Sequence, residues 1–267
     1  MRKKMAYILE DKEEFTRLEN QELIPCYNIK NDISLLDIKE KNHILDAGCG
    51  AGTISRFMAK NFPHITIEGC DGSLERASQA KEENKRQQIN NINVFNSSLE
   101  SIDKPENTFD RIICRFVYEY LKTPVEVTKE FHRLCKPGGK VLLIDLDGVF
   151  FNLYTQNQFV NNCLATLQNT FQRENSLDLF VGRKLPFYLQ EAGFKNIQYQ
   201  LRSMEFKGQD ILREIENYKE RFKFAHASFA KILGEEEATL FERLYLDEMG
   251  KSGNIIFYNI FSVVGEK

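Results

Sequence analysis

Residues 44–53 read Ile44-Leu45-Asp46-Ala47-Gly48-Cys49-Gly50-Ala51-Gly52-Thr53. A short apolar run passes through three glycines at alternate positions and into a helical stretch, so the segment predicts a buried strand, a tight loop and a helix start. Glycine tolerates positive φ and lets a ligand approach the backbone, while the helix that follows offers unpaired N–H groups and the positive end of its dipole. Such a loop suits an anionic group. A dinucleotide fingerprint needs G-x-G-x-x-G/A, whereas the spacing here is G-x-G-x-G, with Thr53 where the last small residue belongs and an acid, Asp46, two residues before the first glycine. That departure points away from a nicotinamide dinucleotide.

Outward from this loop, short apolar runs at 43–47, 65–70, 93–95, 110–116 and 140–146 alternate with helical patterns at 53–61, 73–88 and 124–135. Ser73 suits an N-cap and Pro124 a first helical position, and Lys136-Pro137-Gly138-Gly139 reads as a stop signal. Strand and helix alternating in this way predict an α/β fold with a parallel sheet covered on both faces. After Asp147 the pattern changes: helical segments at 150–173, 183–192 and 209–249 are interleaved with strands at 196–206 and 254–264. Segments 10–20 and 33–38, ahead of the first strand, also read as helical. No repeat or low-complexity linker divides the chain, which predicts one domain over residues 1–267. The second strand ends at Asp71, where an acid can accept hydrogen bonds from both hydroxyls of a ribose lying over the glycine loop, so the expected ligand is adenosine-like.

Composition narrows the partners. The chain has 267 residues, 36 Lys and Arg against 39 Asp and Glu, and a net charge of −3. Its last 85 residues carry 13 basic and 13 acidic side chains, so no basic groove for a polyanion is expected and nucleic acid is disfavoured. No stretch reaches the roughly 20 apolar residues that span a bilayer, and no apolar core follows the basic start, so a soluble cytoplasmic protein with no membrane partner is expected. Six cysteines at irregular spacing without C-x-x-C predict reduced thiols and no zinc site.

Four stretches in order resemble the class I S-adenosylmethionine-dependent methyltransferases: DAGCGAG at 46–52, EGCDGS at 68–73, FDRIICRFVYEYL at 109–121 and FHRLCKPGGKVLLIDLD at 131–147. The resemblance runs from about Glu13 to Phe194 and is nearest to the quinone-biosynthesis and natural-product group. It implies a Rossmann-like, doubly wound, mostly parallel seven-stranded sheet with an antiparallel last strand. Residues 1–42 would form an N-terminal helical lid, 43–147 the cofactor-binding core, and 148–182 and 207–253 helical cap insertions. It also implies S-adenosylmethionine as cofactor and no metal. Amides of Gly48, Cys49, Gly50 and Gly52 would meet the methionine end, with Asp46 bracing the loop. Asp71 would hold the ribose, and Gly72 would allow close approach. Ser98 stands where the family usually places an Asp against the adenine amino group, and Leu99 would donate its N–H to the ring. Arg115 and Phe116 would lie under the methyl-transfer centre, and Arg17 would pair with the cofactor carboxylate or with Glu14 on its own helix.

Methyl transfer from a sulfonium is an in-line displacement in which the protein aligns the nucleophile and removes any proton. Tyr118, Glu119 and Tyr120 occupy the place where related enzymes often carry Glu-His. Glu119 and Tyr118 are therefore the catalytic candidates, with Tyr120 replacing the usual imidazole. Asp145 and Asp147 share one face of the fifth strand and are expected either near the acceptor or bonded to loop amides. Residues 147–267 hold 14 of 21 Phe and 6 of 10 Tyr, which either line an apolar pocket or form the core of the cap. The expected activity is methylation of a small molecule, aromatic or apolar, at O, N or C. A protein or RNA methyltransferase, or an S-adenosylmethionine-binding scaffold without turnover, stands as the alternative. The oligomeric state is open.

Overall fold

The computed structural model describes residues 28–174, 177–206 and 208–267. Seven strands form one sheet: β1 (His43–Ala47), β2 (Thr66–Asp71), β3 (Ile92–Asn96), β4 (Phe109–Arg115), β5 (Cys135–Asp147), β6 (Lys195–Phe206) and β7 (Ile256–Glu266). Their order is β3-β2-β1-β4-β5-β7-β6. β1 to β5 pair in parallel, and β7 runs antiparallel to both β5 and β6. The expected fold class therefore holds. Strand order reverses between β1 and β4, so the crevice beyond their carboxyl ends is where a ligand of such a sheet binds.

The period of two along each strand sends alternate side chains to opposite cores. Ile44, Ile67, Ile113 and Ile144 join one cluster, with Ile29 and Ile33 from α1 (Ile29–Asp32) and the residue after it, and with Ile54 and Met58 of α2 (Thr53–Asn61). Leu45, Ile112, Cys114, Val141 and Leu143 join the other, against α4 (Pro124–Leu134) and α6 (Leu185–Glu191). Between these, α3 (Leu74–Arg86) sets Ala77 and Ala80 against Val94. Its start is capped as expected, because the Ser73 side chain accepts the Arg76 N–H at 3.3 Å. Among the described residues no helix is long and apolar enough to cross a membrane.

Several boundaries differ from the sequence expectation. β5 begins at Cys135, just ahead of the expected stop signal, and runs through it: Gly138 bends the chain at φ +73, and the 138–139 pair exchanges backbone hydrogen bonds with Lys267 at 2.8 and 3.0 Å. The helix expected from 150 begins at Gln158, as α5 (Gln158–Glu174). Phe150 breaks the pattern at φ +69, and the Asn157 side chain accepts the N–H groups of Phe159 and Val160 at 3.1 and 3.3 Å, an N-cap further along the chain. The 209–249 stretch is two helices, α7 (Gln209–Leu233) and α8 (Glu235–Met249), parted at Gly234 with φ +95. The region 33–38 is a single 3-10 turn at Ser34–Leu36. The 10–20 helix and Arg17 lie outside the described residues.

The rings of α7 and α8 answer the question of pocket or core. Tyr218, Phe222, Phe229, Phe241 and Tyr245 are all buried, their centroids 5.5–6.2 Å apart where they meet. Phe150 closes this cluster from the sheet side. These aromatics are buried core, continuous with Ile44, Ile113, Ile144 and Tyr258 of the sheet.

Candidate active site

The loop after β1 is clamped to β2 by one carbonyl: Gly48 N–H and Cys49 N–H both donate to Cys70 O, at 2.8 and 2.9 Å. Gly48 sits at φ +74, and a Cβ there would lie 2.5 Å from Val117 Cγ2, in the loop after β4. Two strand-end loops thus meet at a backbone with no side chain. Gly52, at φ +78, precedes α2 and gives its first-turn N–H groups no side-chain cap.

Asp46 and Asp71 lie beneath and beside this loop. Asp71 accepts Gly50 N–H on Oδ2 at 2.9 Å and Ser73 N–H on Oδ1 at 2.9 Å, so its carboxylate, expected at a ribose, is also what holds the glycine loop. Gly72, next to it, has no heavy atom within 4 Å of its Cβ direction. Asp46 was expected to brace the loop glycines. Instead it takes the Ser55 hydroxyl at 2.6 Å on Oδ2, one turn into α2. Burial pushes its pKa up to about 6 from 3.8. A carboxyl raised by folding stabilises the folded state fully below about pH 4, and that contribution is lost as pH rises through about 6. Asp46→Asn keeps an acceptor for Ser55 without the charge. Its stability relative to wild type should therefore rise between pH 4.5 and 7, by about 2 kcal/mol. Urea unfolding of both proteins at the two pH values checks this, and a pH-independent difference would contradict it.

Beyond β3, Leu99 is buried in the core at 7% exposure, while Ser98 is exposed. The Ser98 hydroxyl bonds to the Glu100 carboxylate. Sequence reasoning missed Glu100: an acid stands beside the position where Ser98 seemed to replace one. The signal was present, two residues along the same loop.

At the end of β4, Arg115 stacks on Phe116 with its guanidinium carbon 4.1 Å from the ring centroid. Phe116 takes φ +58, a conformation costly for an aromatic residue and found mostly where the surroundings enforce it. Its own N–H donates to Ile144 O at 2.9 Å, and the two amides after it are held by Asp145 of β5. Fully buried, it accepts Val117 N–H at 3.2 Å and Tyr118 N–H at 2.9 Å on Oδ2, and Leu146 N–H at 2.8 Å on Oδ1. Burial and the nearby Glu119 carboxylate push the Asp145 carboxyl up, and these amides oppose them. Asp145 is thus the organiser of the loop rather than an acceptor-facing acid. Asp147 is likewise taken, by Arg183 through Nε at 3.0 and 3.1 Å and Nη2 at 2.6 Å.

The 3-10 turn Tyr118–Tyr120 then divides the catalytic candidates. Tyr118 points into the core at 1% exposure, its hydroxyl 2.8 Å from Thr128 Oγ1 and its ring stacked on Tyr188 at 5.8 Å. Burial pushes its hydroxyl pKa well up, so it is a packing residue and the catalytic expectation for it is corrected. Glu119 and Tyr120 stay half-buried at the sheet edge. The Glu119 carbonyl accepts Asp178 N–H at 2.8 Å, joining this turn to the segment after α5. The structure therefore gathers Gly48, Gly50, Gly52, Asp71, Gly72, Arg115, Phe116 and Glu119 along the carboxyl ends of β1, β2 and β4. Among the described residues, no group of three or more His, Cys, Asp or Glu is arranged to hold a metal.

Residues 44–139 match a family model described as a methyltransferase domain. An uncharacterized methyltransferase of Schizosaccharomyces pombe is 36% identical over 116 residues, 41% of this chain and 42% of that protein. A ubiquinone biosynthesis O-methyltransferase of Coxiella burnetii is 34% identical over 108 residues, 40% of this chain and 45% of that one. The matches thus span less than half the length of these curated relatives. Among solved structures, the YcgJ protein of Bacillus subtilis aligns at TM-score 0.60 and 16% identity, over 90% of this chain and 97% of that one. A Haemonchus contortus phosphoethanolamine N-methyltransferase 2 aligns at TM-score 0.63 and 15% identity, over 98% and 61%. The strand order, the glycine loop and the acid ending β2 fit these likenesses: residues 44–139 are similar to a methyltransferase domain, carried on a Rossmann-like sheet.

Proposed function

We propose that the protein binds S-adenosylmethionine across the carboxyl ends of β1, β2 and β4 and methylates a small-molecule acceptor. One observation carries this reading: the Asp71 carboxylate stands at the end of β2 against the glycine loop, beside open ground over Gly72. A nucleoside fits that ground, with its ribose hydroxyls donating to Asp71 and its adenine edge within the loop of Ser98, Leu99 and Glu100. When bound, the cofactor supplies an electrophilic methyl on a sulfonium. Arg115 and Phe116 floor the space next to it, and Glu119, half-buried on the adjoining turn, is the group to orient an acceptor or take its proton. Relatives named for ubiquinone, menaquinone and malonyl-carrier-protein methylation support a small acceptor, and the balanced charge of the chain disfavours nucleic acid. The half-buried Phe116, Phe151 and Phe180 support an acceptor with aromatic or apolar character.

Titration calorimetry tests the cofactor site. Wild type should bind S-adenosylmethionine, and Asp71→Ala should weaken it about tenfold or more, the effect of one or two hydrogen bonds to a charged acceptor. No binding at millimolar cofactor overturns the reading. Release of S-adenosylhomocysteine across a panel of quinols, amines and carboxylic acids then tests turnover. The scaffold reading is favoured by one observation, the burial of Tyr118, which leaves Glu119 and Tyr120 to serve the acceptor. Tight binding without turnover across that panel would support it.

A further inference from the structure

The two edges of the sheet are built differently. β3, at one end, is five residues long and carries Asn93 and Asn96, with the Asn96 side chain donating to Asp71 O at 2.8 Å. β6, at the other, runs for twelve residues without a proline and pairs, among the described residues, only with β7. Its start is guarded: Asn196, at φ +50, lies in a bulge where the register against β7 shifts between Lys195 and Gln198. From Gln198 to Phe206 the pairing is regular, which leaves the outer row of backbone N–H and C=O groups in line for another strand. Arg202 is the one cation in that stretch. It is drawn inward to the buried Asp32 of α1, which also accepts Arg115 Nε at 2.9 Å, so its charge is balanced within the chain.

Apolar side chains stand out along the same stretch. Tyr199 and Leu201 lie opposite Val263 and Phe261 of β7, on the face of the second core, yet they are 66% and 56% exposed. Phe187 of α6, the helix packed on β6, is exposed as well. Single exposed apolar residues are ordinary, but neighbours on one face of an unpaired edge form a surface for the side chains of a further strand.

We propose that β6 pairs antiparallel with β6 of a second copy of this chain, about a two-fold axis at Gln200. The edge is complementary to itself in that register. Tyr199 stands opposite the partner's Leu201, and Leu201 opposite the partner's Tyr199, while Gln198 stands opposite the partner's Arg202. Lys195, ahead of the bulge, comes beside the end of the strand that carries the partner's Glu205. Two aromatic–aliphatic pairs form and no like charges meet, the arrangement that favours strand pairing. An axis at Arg202 would set two guanidinium groups against each other, and one at Leu201 would set each Tyr199 against a serine. The axis reverses strand direction, and β1, which leads into the glycine loop, is separated from β6 by β4, β5 and β7. Neither copy covers the other's loop, so the inference stands apart from the cofactor reading.

Sedimentation and cross-linking of the full chain test it. Wild type should sediment as a dimer at micromolar concentration. Leu201→Glu alters a side chain already exposed in the single chain, so it should weaken self-association about tenfold or more with an unchanged circular dichroism spectrum. Gln200→Cys should cross-link to itself under copper phenanthroline, because residues on the axis stand directly opposite one another, with Cα atoms about 4.5–5.5 Å apart and within reach of a disulfide. Ser203→Cys, opposite the partner's Ile197 and far from its own counterpart, should not. Wild type gives the baseline, since its described cysteines are all buried. A wild-type monomer overturns the inference, even if the edge captures some other protein. A dimer that Leu201→Glu leaves intact overturns it as well, because the contact then lies elsewhere. If Leu201→Glu does not fold, the cysteine variants carry the decision: a Gln200→Cys that cross-links no more than wild type overturns the pairing.

Discussion

Asp145→Asn should be among the most damaging single-atom changes in the molecule, lowering stability by about 1–3 kcal/mol and abolishing detectable methyl transfer. The carboxylate takes three backbone N–H groups, two on Oδ2 and one on Oδ1, in full burial. An asparagine amide supplies one oxygen and one NH2, so at least one donor faces another donor. A buried donor left unsatisfied costs about 1–3 kcal/mol, and the bonds lost here were to a charged acceptor. Against this, the substitution removes a buried charge that both burial and the Glu119 carboxylate disfavour. Burial and Glu119 outweigh those amides for the charged form, so removing the charge gives real relief, and the expected loss is that of the donor left facing the Asn amide. The larger consequence is positional. Val117 and Tyr118 directly follow Phe116, which sits at φ +58 with its own N–H on Ile144 O, so their amides fix the turn as it leaves that residue. Released, the turn relaxes, Val117 withdraws from Gly48, and Glu119 moves from the sheet edge. Urea unfolding with an unchanged denaturant slope, together with S-adenosylhomocysteine release, reads both effects. Wild-type stability in Asp145→Asn would show that the loop is held by something else.

What the sequence revealed of this site follows from how far apart the cooperating residues are. The glycine loop and Asp71 were legible because each is a local pattern: a strand, a turn and a helix start in ten residues, and an acid at the last position of a strand. The parallel sheet was legible from the alternation of apolar runs, and its antiparallel last strand from the family resemblance. Tyr118 was misjudged because adjacent residues in a strand-end turn separate to opposite sides, and the sequence YEY does not say which side chain goes inward. Asp145 showed its place on the strand but not its partners, since an acid bonded to amides 27 and 28 residues away looks the same as one awaiting an acceptor. Asp32 was invisible for the same reason, its partners lying 83 and 170 residues along the chain. The late start of α5 reflects the Asn157 cap overriding a helical pattern that runs several residues further back.

Gly48 and Gly72 make the sharpest paired test of where the cofactor lies, because alanine should fail at the two positions for different reasons. At Gly48 the φ of +74 alone costs an alanine about 1–2 kcal/mol. Its methyl would also meet Val117 Cγ2 at 2.5 Å and Cγ1 at 3.3 Å. Val117 cannot simply retreat, since its amide is held by Asp145, and the loop cannot simply lift, since Gly48 and Cys49 are both bonded to Cys70 O. Gly48→Ala should therefore lose about 2–4 kcal/mol of stability and, by displacing the loop amides, at least tenfold in cofactor affinity. At Gly72 the backbone is not in the left-handed region and the Cβ direction is empty. Gly72→Ala should thus unfold at the wild-type denaturant concentration. Its methyl would nevertheless stand in the ground assigned to the ribose, so affinity for S-adenosylmethionine should fall about tenfold with no change in stability. Binding lost without stability is the signature of a ligand's own space rather than the protein's packing. Unaltered affinity in Gly72→Ala would place the ribose elsewhere along the sheet edge, even if Gly48→Ala behaves as expected.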